Sequence, residues 1–374
     1  MEPIKPTRTP TRDYQSFSGT PWPALDVMYR RRSHRKYLPV ELDDAFVSGF
    51  NDITARACEV RGVEAANLLP VVGPGEVDAV RVGSYKGVTA RMNSWLSRAP
   101  VVAFLVMAVD ETEMRSQRPS ELPRTSMACE DVVLWLTEQG MGTCWLGGVN
   151  ARVVAAACGL AVGRTVPCVI SIGKGALPAG PASYTGMAYR RMSRKRKQLS
   201  SIAGLETSAD VYQPPALDGL SFEASGAGIG DLLAALAAPA AGKGAVEAPI
   251  DLAVDACLES ARIAPSASNA QPWFFVAVRD RDRLGRLGQC CGLEDLAWRK
   301  GAIVALGQPK RWQQVMLDRP FWMIDVPIAL SHITLLAASM GFTPELALDG
   351  IDEEGIAAAV AAPSGMRPVA VVGL

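Results

Sequence analysis

Apolar positions in this chain come in two kinds of stretch, short β-branched runs and longer, nearly all-apolar segments, and together they predict strands alternating with helices. Val101 to Val109 is an uninterrupted apolar run behind Ala99-Pro100 and reads as a buried strand. Thr125 to Gln139 is apolar around much of a helical circumference, as a buried helix requires, and Gly140 and Gly142 end it because glycine accepts the left-handed conformation that follows a helix. Ile324 to Ser339 has the same character, with Asp325 near its start, where a carboxylate complements the helix dipole. Leu252 to Ile263 predicts another helix and Phe274 to Val278 another strand. The class is therefore mixed α and β, with helices packed on sheets.

The pattern repeats at an offset of about 200 residues in three separate elements. Arg98 to Leu105 matches Arg299 to Leu306. The helix Ser126 to Gly142 matches Asp325 to Gly341, with Met141-Gly142 and Met340-Gly341 in register. The strand Pro167 to Gly173 matches Pro368 to Gly373. A Gly/Ala/Pro-rich stretch from Glu206 to Pro249, broken only by the apolar Leu232 to Leu236, separates the two copies. The expected organisation is an extended N-terminal arm over 1–24, a first lobe over 25–205, a linker over 206–249 and a shorter second lobe over 250–374.

The chain has 374 residues and equal numbers of basic and acidic side chains, 38 of each, so no global field favours nucleic acid or an anionic membrane. The longest apolar run is about half of what a membrane span needs, and the Pro-, Thr- and Arg-rich start lacks a secretory core, so a cytoplasmic protein is expected. Eight cysteines stand without C-x-x-C spacing and read as small buried hydrophobes, and the two histidines, His34 and His332, offer little for a metal site or a Ser-His-Asp triad.

Two segments carry chemistry. Arg30, Arg31, Arg32, Arg35 and Lys36 crowd around Ser33, a local anion site in which guanidinium pairs and a neutral hydroxyl suit a phosphomonoester; a solvated basic helix end would look similar. Ala264 to Trp273 joins a predicted helix to a predicted strand. Its small residues would let a flat ring approach the backbone, while Ser266, Ser268 and Asn269 offer donors and acceptors to a ring edge rich in nitrogen and carbonyl groups. Proline at each end stiffens the loop, although Pro, Ser and Asn are also ordinary turn formers. Gly226 to Gly230 is a poor candidate for a dinucleotide turn, because it follows no strand and lacks the G-x-G-x-x-G spacing.

Arg31-Arg32-Ser33-His34-Arg35 and Ala264-Pro265-Ser266-Ala267-Ser268-Asn269-Ala270-Gln271-Pro272-Trp273 resemble the two signatures of the FMN-dependent nitroreductase family. The resemblance extends to Gly140 to Gly148, similar to the family's segment over the flavin ring, and to Arg194 to Leu199, similar to its basic phosphate contact. Pro320 to His332 is similar to the branch named putative TM nitroreductases, in which one chain carries both lobes. The segments 206–249 and 308–319 match poorly.

The resemblance implies a nitroreductase-like α+β fold whose two related lobes form an internal pseudo-dimer. It implies that Arg31, Arg32, Ser33, Arg35, Arg194 and Arg196 hold the FMN phosphate. It places Pro265, Ser266, Ala267, Ser268 and Asn269 along the pyrimidine side of the ring, with Leu146, Gly147 and Gly148 beside its N5 region, and requires no catalytic acid or base. Family members commonly pair two subunits around two sites. Here the positions offset from Asn269 and Pro272 are Asn67 and Pro70, which lack the serines, glutamine and tryptophan, and the positions offset from Arg31 fall near Leu232, without a base. One site would be complete and the other empty or collapsed. The implied activity passes two electrons from NADH or NADPH to an electron-poor small molecule such as a nitroaromatic or quinone. The alternative is a flavin-binding protein without fast turnover, serving as a sensor, a carrier or a step in flavin metabolism. Neither nucleic acid nor membrane is expected as a partner, and the chain would act as a monomer by internal pairing or as a homodimer.

Overall fold

The computed structural model describes residues 22–87, 89–176, 196–216, 222, 225–238, 247–309 and 319–374. These fall into two units, a first of 30–176 with Arg319 and a second of 22–29, 196–309 and 320–374. Helix α1 (Pro23–Arg30) opens the described chain.

The first unit runs β1 (Tyr37–Leu38), α2 (Asp44–Arg61), β2 (Leu68–Val71), α3 (Pro74–Tyr85), β3 (Ala103–Met107), β4 (Val109–Asp110), α4 (Glu121–Glu138), β5 (Gly142–Leu146), α5 (Ala151–Ala157), β6 (Arg164–Thr165) and β7 (Val169–Gly175). Its main sheet is antiparallel, in the order β2-β3-β7, with β5 and β1 sharing the far edge of β7. Helix α2 starts where the Asp43 carboxylate accepts the Phe46 N–H at 2.7 Å and stops at Gly62, whose φ of 63° frees its N–H for the last carbonyls. One face of the sheet packs Phe104, Val106, Val169, Cys144 and Leu146 against Val77 and Val80 of α3 and Val154 of α5. Leu105, Ile170 and Ile172, which alternate with them, are buried as well, so these strands read as continuous apolar runs. Buried α4 hides its polar residues by bonding them locally. Thr125, Ser126 and Thr137 donate to carbonyls one turn back at 2.7–2.8 Å, and Asp131 takes two bonds from Arg61 of α2 at 2.7 and 3.0 Å.

The second unit continues with β8 (Ala203–Leu205), α6 (Ile229–Ala237), α7 (Ile250–Ile263), β9 (Trp273–Val278), α8 (Arg281–Cys291), β10 (Ala302–Gly307), α9 (Trp322–Ser339), β11 (Glu345–Ala347), α10 (Glu353–Ala359) and β12 (Arg367–Gly373). Its sheet order is β8-β9-β10-β12-β11, with β8 parallel to β9 and the rest antiparallel. Val276, Val304, Leu306 and Val371 pack there against Leu284 and Leu287 of α8 and Ile356 of α10. The succession β9-α8-β10-α9-β11-α10-β12 has the same order and pairing as β2-α3-β3-α4-β5-α5-β7, so the sequence repeat is a repeat of topology. Ala103 pairs with Ile172 in one sheet and Val304 with Val371 in the other, so the two pairings agree in topology and differ by two residues in register.

Helix α9 is long and apolar enough to cross a membrane by length and composition; every residue of it except Ala338 is buried, and Pro327 sits inside it. All eight cysteines are free thiols, six of them buried, in line with small buried hydrophobes.

The unit boundaries differ from those expected. Residues 22–29 and 196–205 belong to the second unit rather than to a first lobe over 25–205. Backbone and side-chain bonds explain both. Strand β8 adds to the edge of β9, with Ala203 opposite Phe275, and the Tyr29 hydroxyl donates to Glu259 of α7 at 2.7 Å. Nor is 206–249 a plain linker, since α6 buries Ile229, Leu232 and Leu233, and the Tyr212 hydroxyl donates to Asp255 at 3.0 Å. The expected arm over 1–24 lies, up to residue 21, outside the described residues.

Candidate functional site

The basic segment leaves α1 and enters the first unit's sheet. Ser33 bridges to Thr143 of β5, the His34 N–H donates to the Thr143 carbonyl at 2.8 Å, and β1 pairs with the end of β7. Both ends of the segment are thereby fixed to strands. The His34 ring lies over Gly142 and Gly175; a Cβ on Gly175 would stand 2.5 Å from His34 Nδ1, so that position needs glycine for the imidazole to fit. Burial, then the charges of Arg32 and Arg31, push the His34 pKa down to about 4, which keeps the ring neutral at physiological pH.

Arg31 is 1 % exposed, and its nearest carboxylate oxygen, on Glu130, is 3.9 Å away and belongs to a group that already accepts the Trp145 indole N–H at 2.9 Å. Among the described residues its Nε and Nη1 have no hydrogen-bond partner, nor has the buried Thr143 hydroxyl. Buried unfilled donors on a cation are costly, and an anionic oxygen ligand would remove that cost. Burial pulls the Arg31 pKa down from its usual value, opposed by Glu130. Arg32, Ser33 and Arg35 are half-buried along the same segment.

Leu146, Gly147 and Gly148 close β5. Leu146 is buried, the Gly147 carbonyl accepts from Arg319 Nη1 at 2.6 Å, and the Gly148 carbonyl accepts from Asn93 Nδ2 at 3.0 Å. The same Arg319 nitrogen also reaches the Pro167 carbonyl, and Asn93 also reaches Ser84 O at 3.0 Å. Two side chains thus set the orientation of consecutive glycine peptides. Sequence reasoning missed both: Asn93 sits in no motif, and Arg319 closes a poorly matched segment.

In the second unit the loop from Pro265 onward has an unusual backbone. Ser268, Asn269 and Gln271 hold φ of 51°, 56° and 48°, left-handed values that favour glycine and, among other residues, asparagine. Hydrogen bonds brace this shape. Asn269 N donates to Ser266 O at 2.9 Å and Gln271 N to Ser266 Oγ at 3.0 Å, while Lys197 N donates to Gln271 Oε1 and Lys197 Nζ to Gln271 O, both at 2.8 Å. Arg196, expected at the phosphate, donates here to Asn269 Oδ1 and, at 3.3 Å, to Ile263 O. Arg194 lies outside the described residues. From the other side the Ala267 N–H donates at 2.9 Å to Oδ1 of Asp325, a 3 %-exposed carboxyl on α9. Burial pushes the Asp325 pKa up to about 8. Trp273, which closes the loop, is 1 % exposed, and its indole N–H has no partner among the described residues.

Residues 74–174 of this chain, from α3 to the last turn of the first unit's sheet, match the family model described as Nitroreductase family. This stretch is similar to the nitroreductase family. It is 33 % identical over 91 residues to an Archaeoglobus fulgidus protein named “Putative NADH dehydrogenase/NAD(P)H nitroreductase”, a match covering 24 % of this chain and 49 % of that one. The chain thus spans about half the length of the curated relative it matches. Among solved structures, “a putative nitroreductase” of Thermotoga maritima is 15 % identical with a TM-score of 0.44, covering 93 % of this chain and 92 % of that one. An FMN-dependent nitroreductase of Clostridium difficile is 17 % identical with a TM-score of 0.33, covering 44 % and 95 %.

In the strand before the matched stretch, the position offset from Asn269 is committed elsewhere. Asn67 Nδ2 donates to Glu121 at 2.5 Å and to Thr125 at 3.2 Å, and its Oδ1 accepts from Arg164 Nη2 at 2.6 Å. Arg164 in turn donates to Glu121 at 2.8 Å and to Ala108 O at 2.8 Å. The amide at the degenerate position is therefore saturated by its own unit, where the Asn269 loop is shaped by left-handed backbone. Replacing Asn269 with glycine should weaken FMN binding about tenfold, the order of one lost hydrogen bond, without straining a φ of 56°. Fluorescence titration checks the affinity and a melting curve checks the fold. Unchanged affinity would reduce the loop to a structural turn.

Proposed function

We propose that the chain is an FMN-dependent oxidoreductase that passes two electrons from NADH or NADPH to an electron-poor acceptor such as a nitroaromatic or a quinone. The observation that carries the reading is the buried, half-unfilled guanidinium of Arg31, in the unit that contains the nitroreductase-family match. Arg31, Arg32, Ser33 and Arg35 would hold the phosphate, the first through its unfilled N–H groups. The Pro265 to Asn269 loop would meet the ring edge, with Ser and Asn side chains and small residues that leave the backbone accessible. Leu146, Gly147 and Gly148 would run beside the ring, their peptide orientation held by Arg319 and Asn93. When bound, FMN supplies the hydride chemistry. The protein's part is to bind, to orient and to offer preorganised dipoles where charge develops.

One anion segment and one loop of this kind exist in the chain, and the Asn67 position is saturated, so FMN titration should reach an endpoint of one per chain. The absorption spectrum of the purified protein counts it, and two flavins per chain would refute the reading of Asn67. Stopped-flow reduction of the bound flavin by NADH and by NADPH tests the activity; a bound flavin that neither nicotinamide reduces would leave a binding protein and remove the enzyme.

A further inference from the structure

The ring loop is strained and it is held from a distance. Three of its side-chain-bearing residues are left-handed, a conformation that persists only where surrounding groups over-determine it. One brace comes from Arg196 and Lys197 on the segment leading to β8, and the other from Asp325 in the first turns of α9. Asp325 is the less expected of the two. It is almost fully buried, no basic side chain pairs with it among the described residues, and its Oδ2 has no hydrogen-bond partner among them. A carboxyl in such a place destabilises a fold unless its one bond does something a neutral, apolar side chain cannot. That bond goes to the first N–H of the tight turn Ala267–Asn269, directly ahead of left-handed Ser268 and Asn269.

We infer that Asp325 is a positioning residue for the cofactor loop, its Oδ1 latching the Ala267 N–H and so holding Ser268 and Asn269 in the conformation that presents them to the ring. The inference rests on the reading of 265–269 as a ring-binding loop. It assigns to the carboxyl an acceptor role that an amide can reproduce. Burial favours the protonated acid, so the neutral form keeps Oδ1 as the acceptor and carries its proton on Oδ2. Asparagine is therefore the conservative replacement and alanine the disruptive one.

The bond can also be removed from its other end. Ser266, at φ −148° and ψ 157°, already has the extended backbone that a residue before proline adopts, so Ala267→Pro deletes the N–H without altering α9. The test uses the full chain in two measurements, amide hydrogen exchange across the loop in flavin-free protein and FMN affinity by fluorescence titration. D325A and A267P should each weaken FMN about tenfold, and D325N should stay within about threefold of wild type. The double variant D325A/A267P should be no weaker than the worse single variant, because one bond is lost either way. In flavin-free protein D325A should speed exchange at 268–271 about tenfold and D325N should not. D325N as weak as D325A, additive losses in the double variant, or wild-type exchange and affinity in D325A would each overturn the latch. If wild-type protein binds no FMN, the flavin reading fails by itself, and the exchange comparison still decides whether Asp325 holds the loop.

Discussion

Replacing Arg31 and Arg35 together with alanine is expected to weaken FMN binding by about two to four orders of magnitude, from roughly 1.5 to 3 kcal/mol for each charge-assisted bond. Arg31 is buried with two unfilled nitrogens and only a 3.9 Å approach to Glu130, so little of its bonding capacity is spent within the protein. Its replacement costs the ligand more than the fold. The fold does carry some of the change, because Glu130, which also accepts the Trp145 indole N–H, is buried and loses a neighbouring cation. A melting curve should therefore accompany the titration. Wild-type affinity in a folded double variant would remove the basic segment from the site. The affinity of wild type should also fall with added salt, less steeply than at an exposed site, since a buried charge is weakly screened.

The second large effect is on stability. The Asp325 carboxyl is raised from the ordinary aspartate value to about 8, so the folded state holds a proton that the unfolded chain has lost. A raised folded-state value means that the stabilising contribution is complete below the unfolded pKa and is lost as pH climbs to the folded one. The window runs from about pH 4 to about pH 8, with a slope approaching 1.4 kcal/mol per pH unit. D325N cannot titrate. Its stability relative to wild type should rise across that window and level off above it, by an amount of order a few kcal/mol. His332, the other titratable group along α9, is engaged by the Ser260 carbonyl at 3.0 Å and is common to both proteins, as are all remaining groups, so they cancel in the difference. Denaturant midpoints at several pH values measure it. A difference between the two proteins that stays flat from pH 5 to 8 would show that Asp325 is ionised in the folded protein.

Much of the fold is legible in the sequence where one residue type answers to one local requirement. Met141-Gly142 and Met340-Gly341 mark the ends of α4 and α9, and the unbroken apolar runs after Val101 and around Ile303 mark central strands, which are buried on both faces. The loop was legible for a related reason: Ser, Asn and flanking prolines tolerate its backbone. What composition does not carry is partnership across long separations. Asp325 reads as a dipole-complementing residue in a helix's first turns; its bond to Ala267, 58 positions earlier, is invisible until the chain folds. Arg196 reads as one more basic residue of a phosphate contact, and only the structure shows it bonded to Asn269. Strand β8, three residues long, is too short for any period to show, and α1 runs through the unit boundary at Tyr29 with no break in pattern, so the sequence does not separate either from the first unit.

The discontinuity of the second unit sets an order of events during synthesis. Helix α1 leaves the ribosome well before its partner, since the Glu259 carboxylate that receives its Tyr29 hydroxyl follows 230 residues later. At 5–20 residues per second that is a wait of roughly 10 to 50 seconds. Throughout it Tyr29, buried in the finished protein, lacks its native partner on α7. All strands of the first unit precede residue 176, whereas the second cannot close its sheet until β12 pairs between β10 and β11. The nascent chain therefore carries α1 without its second-unit partner for most of its synthesis, the kind of exposed segment that chaperones capture.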